Sequence, residues 1–484
     1  MSPIVLFSVV LTYFAMLILV SYFTSRGQAN NATFFKANKQ SPWYLVAFGM
    51  IGASLSGVTF ISIPGTVSSN SFGYMQVVLG YFFGYLAIAF VLMPIYYKLN
   101  VTTIYTYLQK RFGLWTYKTG AFFFLISRLC GSAIRLLLVA NVLQFFVFDD
   151  WGVPFEITVL ISLLLIWVYT FRGGIKTIVW TDTLQTFTML LAVGFTIGMI
   201  MQNLNWSFAD MTKYVSDSSM SRWFFFDDWK AENYFWKDFL GGFFTALAMT
   251  GLDQDMMQKN LTCKNVKEAQ KNMVTFSTVL IGVNLMFLAL GALLYLYAEQ
   301  QAFSLPLDEK GKLISDQVYP TLALSGELGW YTGLLFIIGL IAAAYSSADS
   351  ALTALTTSVC YDILNIEQKI NQEKLRKRVH VAVTVLLYLV ILLFHKLLDR
   401  NAISMVLFVA GLTYGPLIGL FAFGILTKRS LYDKWVPLVA VLSPVLSYLT
   451  HYLANEYYQF SFGWILIGLN GFIMFGLLWL ISRK

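Results

Sequence analysis

A cluster of polar side chains lies in one of the most apolar stretches of the chain, AAAYSSADSALTALTTSVCYDI at residues 342–363. Its members fall within three turns of a predicted helix: Ser346, Ser347, Asp349, Ser350, Thr353, Thr356 and Thr357. Four of the hydroxyls recur at helical spacing and form one stripe. Hydroxyl and carbonyl oxygens make a neutral cage that suits a monovalent cation, whereas Ca²⁺ would require several carboxylates. The alternative is that each hydroxyl bonds a carbonyl of its own helix, which would leave no site.

A second cluster occupies WYLVAFGMIGASLSGVTFISIPGTVSS, residues 43–69. Small or helix-breaking residues punctuate it, namely Gly49, Gly52, Gly57, Pro64 and Gly65, and hydroxyls gather at its middle, namely Ser54, Ser56, Thr59 and Ser62. A helix of this kind can break inside the membrane and direct its carbonyls into a cavity, which is typical of transporter binding sites. The alternative is that the small residues only allow close helix packing.

Two further stretches carry acids at membrane depth. Asp182 lies in GGIKTIVWTDTLQTF, where a buried ionisable group indicates function unless it pairs with Lys176 or Arg172 at the membrane edge. The stretch GLDQDMMQKNL, residues 251–261, ends another span with several polar groups: Asp253, Gln254, Asp255 and Gln258.

Arg128 and Arg135 are the only basic residues inside the predicted spans. They are seven residues apart and therefore share a helix face. A buried guanidinium requires an anion, which could be an internal acid such as Asp349 or Asp253, or the carboxylate of a bound solute.

The composition identifies an integral membrane protein. Of the 484 residues, 58% are hydrophobic, 17% aromatic and 12% charged, with a mean hydropathy of +0.67, whereas a soluble chain carries roughly 25% charged residues. The first apolar run lacks the basic start and the cleavage site of a signal peptide, so we interpret it as a retained helix. The three cysteines have no CxxC spacing and the three histidines are scattered, which argues against a disulfide framework and a zinc enzyme.

Thirteen apolar runs are long enough to cross a bilayer: roughly 3–24, 43–66, 74–98, 117–148, 153–171, 177–202, 236–257, 272–299, 329–363, 377–395, 403–426, 433–453 and 461–482. With the N-terminus outside, 23 of the 33 Lys and Arg residues fall in inside segments, Lys259 among them, and 8 in outside segments. The positive-inside rule therefore predicts an external N-terminus and a cytoplasmic C-terminus in a multi-pass protein of the cell (inner) membrane. The net charge of +8 follows from this topology and does not indicate nucleic acid.

These motifs together resemble the solute:sodium symporter family, which includes sodium/glucose, sodium/iodide, sodium/vitamin and bacterial sialic-acid carriers. The resemblance is carried by GASLSGVTFISIPG, GGIKTIVWTDTLQ, DQDMMQKNL, the 342–363 stretch and GLTYGPLIGLFAFGIL, in this order. It implies an all-α LeuT-like fold of two inverted five-helix repeats with about thirteen transmembrane helices. The implied divisions are an N-terminal helix and loop (1–42), the first repeat (43–202), an extracellular loop (203–235), the second repeat (236–426) and two C-terminal helices (427–484).

The resemblance also implies the coupling ion, Na⁺, and its ligands. The principal sodium site would take the carbonyls of Gly52, Leu55 and Ala343 with the hydroxyls of Ser346 and Ser347. A second sodium, which only some members bind, would take a set that includes two carboxylates: Asp182, Ser346, Asp349 and Ser350. The sialic-acid carriers have Ser at the position of Asp349, which could therefore strengthen this second site or pair with an arginine.

For the solute, the resemblance implies a hydroxyl ladder of Ser54, Ser56 and Thr59, with Arg128 and Asp253 as further substrate-binding residues. Sugar carriers have Gln at the position of Thr59, so an anionic solute such as sialic acid or a small carboxylate is favoured over a sodium/sugar or sodium/vitamin substrate. An intramembrane enzyme is a remote alternative, since no GxSxG or HExxH motif occurs. A channel is a second one, but a channel would not need two broken helices with paired repeats. We predict a non-enzymatic symporter in a lipid bilayer, with no organic cofactor and no obligate protein partner.

Overall fold

A computed structural model describes residues 3–24, 31–308, 310–397 and 402–483. The part described is built from helices: α1 Pro3–Thr24, α2 Asn31–Lys36, α3 Trp43–Ser54, α4 Gly57–Asn70, α5 Tyr74–Ala87, α6 Met93–Leu99, α7 Thr106–Arg111, α8 Leu114–Leu143, α9 Phe155–Gly173, α10 Ile175–Asn203, α11 Phe208–Asp217, α12 Phe235–Ala246, α13 Gln254–Asn260, α14 Val266–Gln300, α15 Ser315–Leu324, α16 Trp330–Ser358, α17 Gln372–Leu397, α18 Ala402–Leu426, α19 Val436–Tyr458 and α20 Leu466–Leu480. Two short antiparallel strands, β1 Ser430–Leu431 and β2 Ser482–Arg483, join the segments that follow α18 and α20.

Short π and 3₁₀ segments extend or connect these helices. The π segments are Ile88–Leu92, Gln144–Phe148, Leu247–Gly251 and Val359–Ile363, and the 3₁₀ turns are Ala37–Lys39, Asp149–Trp151, Ser219–Ser221, Ile366–Gln368, Asp433–Trp435 and Gly463–Ile465. The π segment Leu247–Gly251 follows α12 directly, so the helix is wider there, just before it ends and α13 begins.

The count of thirteen spans is not confirmed in full. Ten helices of the described chain are long and apolar enough to cross a membrane, and the bent pair α3–α4 raises the number to eleven. The other two predicted spans correspond to α9, whose apolar part is shorter, and to the interrupted stretch from α12 to α13. A chain with this many apolar helices is a multi-pass membrane protein.

The helix α16 lies at the centre of the bundle. Every residue from 339 to 358 on this helix is buried, so its hydroxyl stripe faces protein and not lipid. It packs against α3, α8 and α10, and these four helices surround the polar groups described below. A polar helix interior is tolerated at membrane depth because neighbouring helices supply partners for its hydroxyls.

Candidate functional site

The break between α3 and α4 opens the backbone at the centre of the fold. The two helices meet at an angle of 60° around Leu55 and Ser56, whose backbone is not helical. The last regular bond before the break runs from Leu55 N to Ile51 O at 2.9 Å, and the first one after it runs from Phe60 N to Ser56 O at 3.0 Å. The carbonyls of residues 52–55 lie between these bonds, where a helix would otherwise use them. The predicted interruption of this span is therefore present.

Close packing of α3 on α10 sets the position of the break. The backbone N–H of Gly52 donates to Thr186 Oγ1 at 3.0 Å, and a Cβ on Gly52 would come within 2.2 Å of that oxygen. One turn earlier, a Cβ on Gly49 would lie 3.0 Å from the Cβ of Asp182. Glycine at these two positions therefore brings the break against the polar face of α10.

The hydroxyls of α16 divide into two groups. Ser346 Oγ donates to Asp182 Oδ1 at 2.6 Å, and Ser347 Oγ lies 3.4 Å from the carbonyl of Ala53 at the break. Three others bond carbonyls of their own helix, as the alternative interpretation of the stripe predicted: Ser350 to Ser346 O, Thr356 to Leu352 O and Thr357 to Thr353 O. The buried hydroxyl of Thr353 has no hydrogen-bond partner among the described residues. Only the first group reaches the α3 break and α10, which is where the principal sodium site is expected.

The residues expected at a second sodium site have protein partners. Asp182 Oδ2 forms an ion pair with Lys259 Nζ at 2.7 Å, so its cationic partner comes from α13 and not from Lys176; the side chain of Arg172 lies outside the described part of the structure. Asp349 Oδ2 accepts a hydrogen bond from Tyr169 OH at 2.8 Å.

The two arginines of α8 have different surroundings. Arg128 is 4% exposed and forms an ion pair with Asp255, while Asp253 lies 3.8 Å away. Within the described part of the chain, no hydrogen bond or ion pair is found for Arg135, which is only partly buried. Asp253, which we expected to bind substrate, instead caps α13 through Asp255 N at 2.8 Å and accepts a hydrogen bond from Tyr414.

A central cavity of about 100 Å³ lies beside the break. Hydroxyl, aromatic and cationic side chains meet in it: Ser54, Ser56, Thr59, Tyr74, Tyr81, Tyr85, Thr250, Asn284, Arg128, Arg135 and Trp464. Asp253 is not among its lining residues. A larger vestibule of about 590 Å³ adjoins it, lined at its rim by Asn70, Glu232 and Asn233, and Trp464 borders both spaces.

The sequence model of the Sodium:solute symporter family matches residues 34–432. The chain belongs to this family. This symporter-family chain is 26% identical over 436 residues to the sodium/sialic acid symporter NanT of Aliivibrio fischeri, across 86% of this chain and 82% of that protein. It is also 26% identical over 414 residues to sodium-coupled monocarboxylate transporter 1 of Mus musculus, across 84% of this chain and 66% of that one. These relatives are transporters and not enzymes.

A solved structure of a Na⁺-coupled sialic acid symporter, in a substrate-bound outward-open state, superposes with a TM-score of 0.81 over 99% of both chains at 20% identity. The predicted LeuT-like transporter fold is therefore confirmed. The boundaries of the two repeats and the assignment of sodium and substrate ligands stay predictions.

Three participants in the site were not assigned from the sequence. Thr186 lies four residues, about one helical turn, after Asp182 on the same face of α10, and this spacing could have indicated it. Asp255 was noted as polar but not paired with Arg128. Lys259 was counted with the charges of a cytoplasmic segment, and the structure buries it to 1% exposure.

Proposed function

We propose that this member of the sodium:solute symporter family couples Na⁺ to the import of a small organic solute that carries a carboxylate. The solute would bind in the central cavity, with its carboxylate on Arg135 and its polar groups on the ladder of Ser54, Ser56 and Thr59. Both named relatives described above transport acids, by their names, and a carboxylate is the group that these acids share.

The observation that carries the proposal is the contrast between the two α8 arginines. Arg128 already has carboxylate neighbours, so it needs no anion from outside. Arg135 lines the same cavity and forms no ion pair within the described part of the chain. A guanidinium binds a carboxylate through two parallel hydrogen bonds, and in a partly dry cavity such a pair is strong. We therefore favour Arg135 over Arg128 as the substrate-binding arginine.

Sodium would bind at the break between α3 and α4. The carbonyls of Gly52 and Leu55 and the hydroxyls of Ser346 and Ser347 supply uncharged oxygens of the kind a weakly held monovalent cation requires. The hydroxyl of Ser346 donates a hydrogen bond to Asp182, which leaves the lone pairs of Ser346 Oγ for a cation. Since the α3 break also carries Ser54 and Ser56, one rearrangement of this backbone would couple the ion to the solute.

Alternating access would follow from movement of the two repeats, 43–202 and 236–426, around this centre. The vestibule is lined in part by Glu232 and Asn233 of the 203–235 segment, which the positive-inside rule predicts to lie outside. On that orientation the vestibule would open outward. With this orientation the C-terminus would lie in the cytoplasm, and the protein would lie in the inner membrane of the cell.

The experiment is a thermal-shift screen of the purified chain against sialic acids, short monocarboxylates, their neutral amides and sugars, in NaCl or in KCl. We expect acids to raise the melting temperature in NaCl and their amides to have no effect. Arg135→Gln should abolish the shift from the acid but keep the shift from Na⁺, whereas Arg376→Gln, which changes a buried arginine on α17, should keep both. An equal response to acids and amides would contradict the proposal.

A further inference from the structure

A lysine lies buried at the place where a second sodium is expected. Lys259 lies on the short helix α13 and is 1% exposed. Its ammonium lies 2.7 Å from Asp182 Oδ2 on α10. Burial of an ammonium is costly unless a carboxylate compensates it. The ion pair therefore holds a positive charge next to Asp182, one of the two carboxylates expected to bind the second sodium ion.

The remaining groups of that expected site are also engaged. The other oxygen of Asp182 accepts the hydroxyl of Ser346 at 2.6 Å. Asp349 accepts a hydrogen bond from Tyr169, and Ser350 Oγ donates to Ser346 O at 2.7 Å. Each of the four residues thus has a protein partner.

Lys259 is not placed to bind the transported solute. It is absent from the residues that line the central cavity, where Arg128 and Arg135 supply the cationic groups. The ammonium of Lys259 instead pairs with Asp182 and also interacts electrostatically with Asp349.

We infer that the ammonium of Lys259 takes the position of the cation in the second sodium site, so that this chain binds a single coupling sodium, at the α3 break. An ammonium resembles Na⁺ in carrying one positive charge and in accepting carboxylate and hydroxyl oxygens as neighbours. A sodium ion added beside Asp182 would be repelled by the ammonium already there. The inference rests on the proposed sodium coupling and specifies its ion count.

The test is a count of bound sodium by equilibrium binding of ²²Na⁺ to the purified full chain. We expect one ion per wild-type chain. Lys259→Met removes the ammonium and should bind two ions, because Asp182 becomes free to hold the second. Lys259→Arg keeps the charge and should bind one, and Lys259→Met combined with Asp182→Asn should return the count to one.

Two sodium ions on the wild-type chain would overturn the inference and leave the proposed symport intact. A folded Lys259→Met variant that still binds one ion would overturn the role of Lys259. If that variant does not fold, the wild-type count decides, with two ions overturning the inference and one supporting it. Absence of any bound sodium in the wild type would overturn the proposed coupling and this inference together.

Discussion

Arg128 and Arg135 lie two turns apart on one face of α8, yet within the described part of the chain only Arg128 of the two forms ion pairs with carboxylates. The two side chains line the same cavity but differ in their partners. Arg128 forms ion pairs with Asp255 and Asp253, whereas Arg135 remains available to a ligand. Substitution of each arginine should therefore affect different properties of the protein.

Replacing Arg128 by alanine should destabilise the fold. The change leaves Asp255 and Asp253 buried without their cation, and removal of one partner of a buried ion pair costs about 3–5 kcal/mol. We expect a lower melting temperature for Arg128→Ala and partial recovery when Asp255→Asn is added. Arg135→Ala serves as the matched control and should melt close to the wild type. A wild-type melting temperature for Arg128→Ala would contradict the network.

Sodium should stabilise the detergent-solubilised protein. An ion that binds only the folded state adds RT ln(1 + [Na⁺]/Kd), which is about 2.7 kcal/mol at 100 times Kd. K⁺ is larger and should stabilise less. The measurement compares melting temperatures in NaCl and KCl at matched ionic strength, and equal shifts would argue against a sodium site.

Ser347→Ala should weaken sodium binding. Ser347 is 1% exposed and its hydroxyl lies beside the Ala53 carbonyl at the break. Loss of one oxygen ligand in such a site should cost about 1–3 kcal/mol, or roughly 5- to 150-fold in affinity. The sodium dependence of the thermal shift measures this. Ser277→Ala, which removes a buried hydroxyl that bonds its own helix α14, should leave the affinity unchanged; an equal loss in both variants would refute a specific role for Ser347.

Gly52→Ala should disturb the contact between α3 and α10. The added Cβ would meet Thr186 Oγ1 at 2.2 Å, and overpacking of this kind costs about 1–3 kcal/mol. We expect weaker sodium binding and a lower melting temperature, with partial recovery in the double variant that adds Thr186→Ala. Gly194→Ala on α10 has open space around the new Cβ and should behave like the wild type. Normal sodium binding by Gly52→Ala would show that the contact is not needed.

The sequence predicted the membrane helices and the broken second span well, because both depend on local composition. Long apolar runs define helices independently of their neighbours, and the glycines around Leu55 mark a place where the helix can stop. The sequence could not show how α12 and α13 divide one predicted span. That division involves Asp253, whose side chain caps α13 and also contacts Arg128 and Tyr414, which are distant in the sequence.

Partners between distant helices were the least predictable feature of the candidate site. Asp182 and Lys259 are far apart in the chain. The sequence alone does not show which of several basic residues pairs with Asp182. The same limit applied to Arg128 and Arg135, because their seven-residue spacing does not show which of them pairs with an internal acid, and the family resemblance assigned Arg128 to the substrate. The tertiary arrangement separates them, because both line the cavity but α13 brings Asp255 next to Arg128 alone.

Trp464, which borders both the central cavity and the vestibule, lies beyond residue 432, where the match to the family model ends. The walls of the central cavity and the vestibule therefore include a residue that lies beyond the region matched by the family model. We therefore expect that exchanging the segment that carries Trp464 between relatives would change which solutes enter the cavity and leave the break between α3 and α4 unchanged.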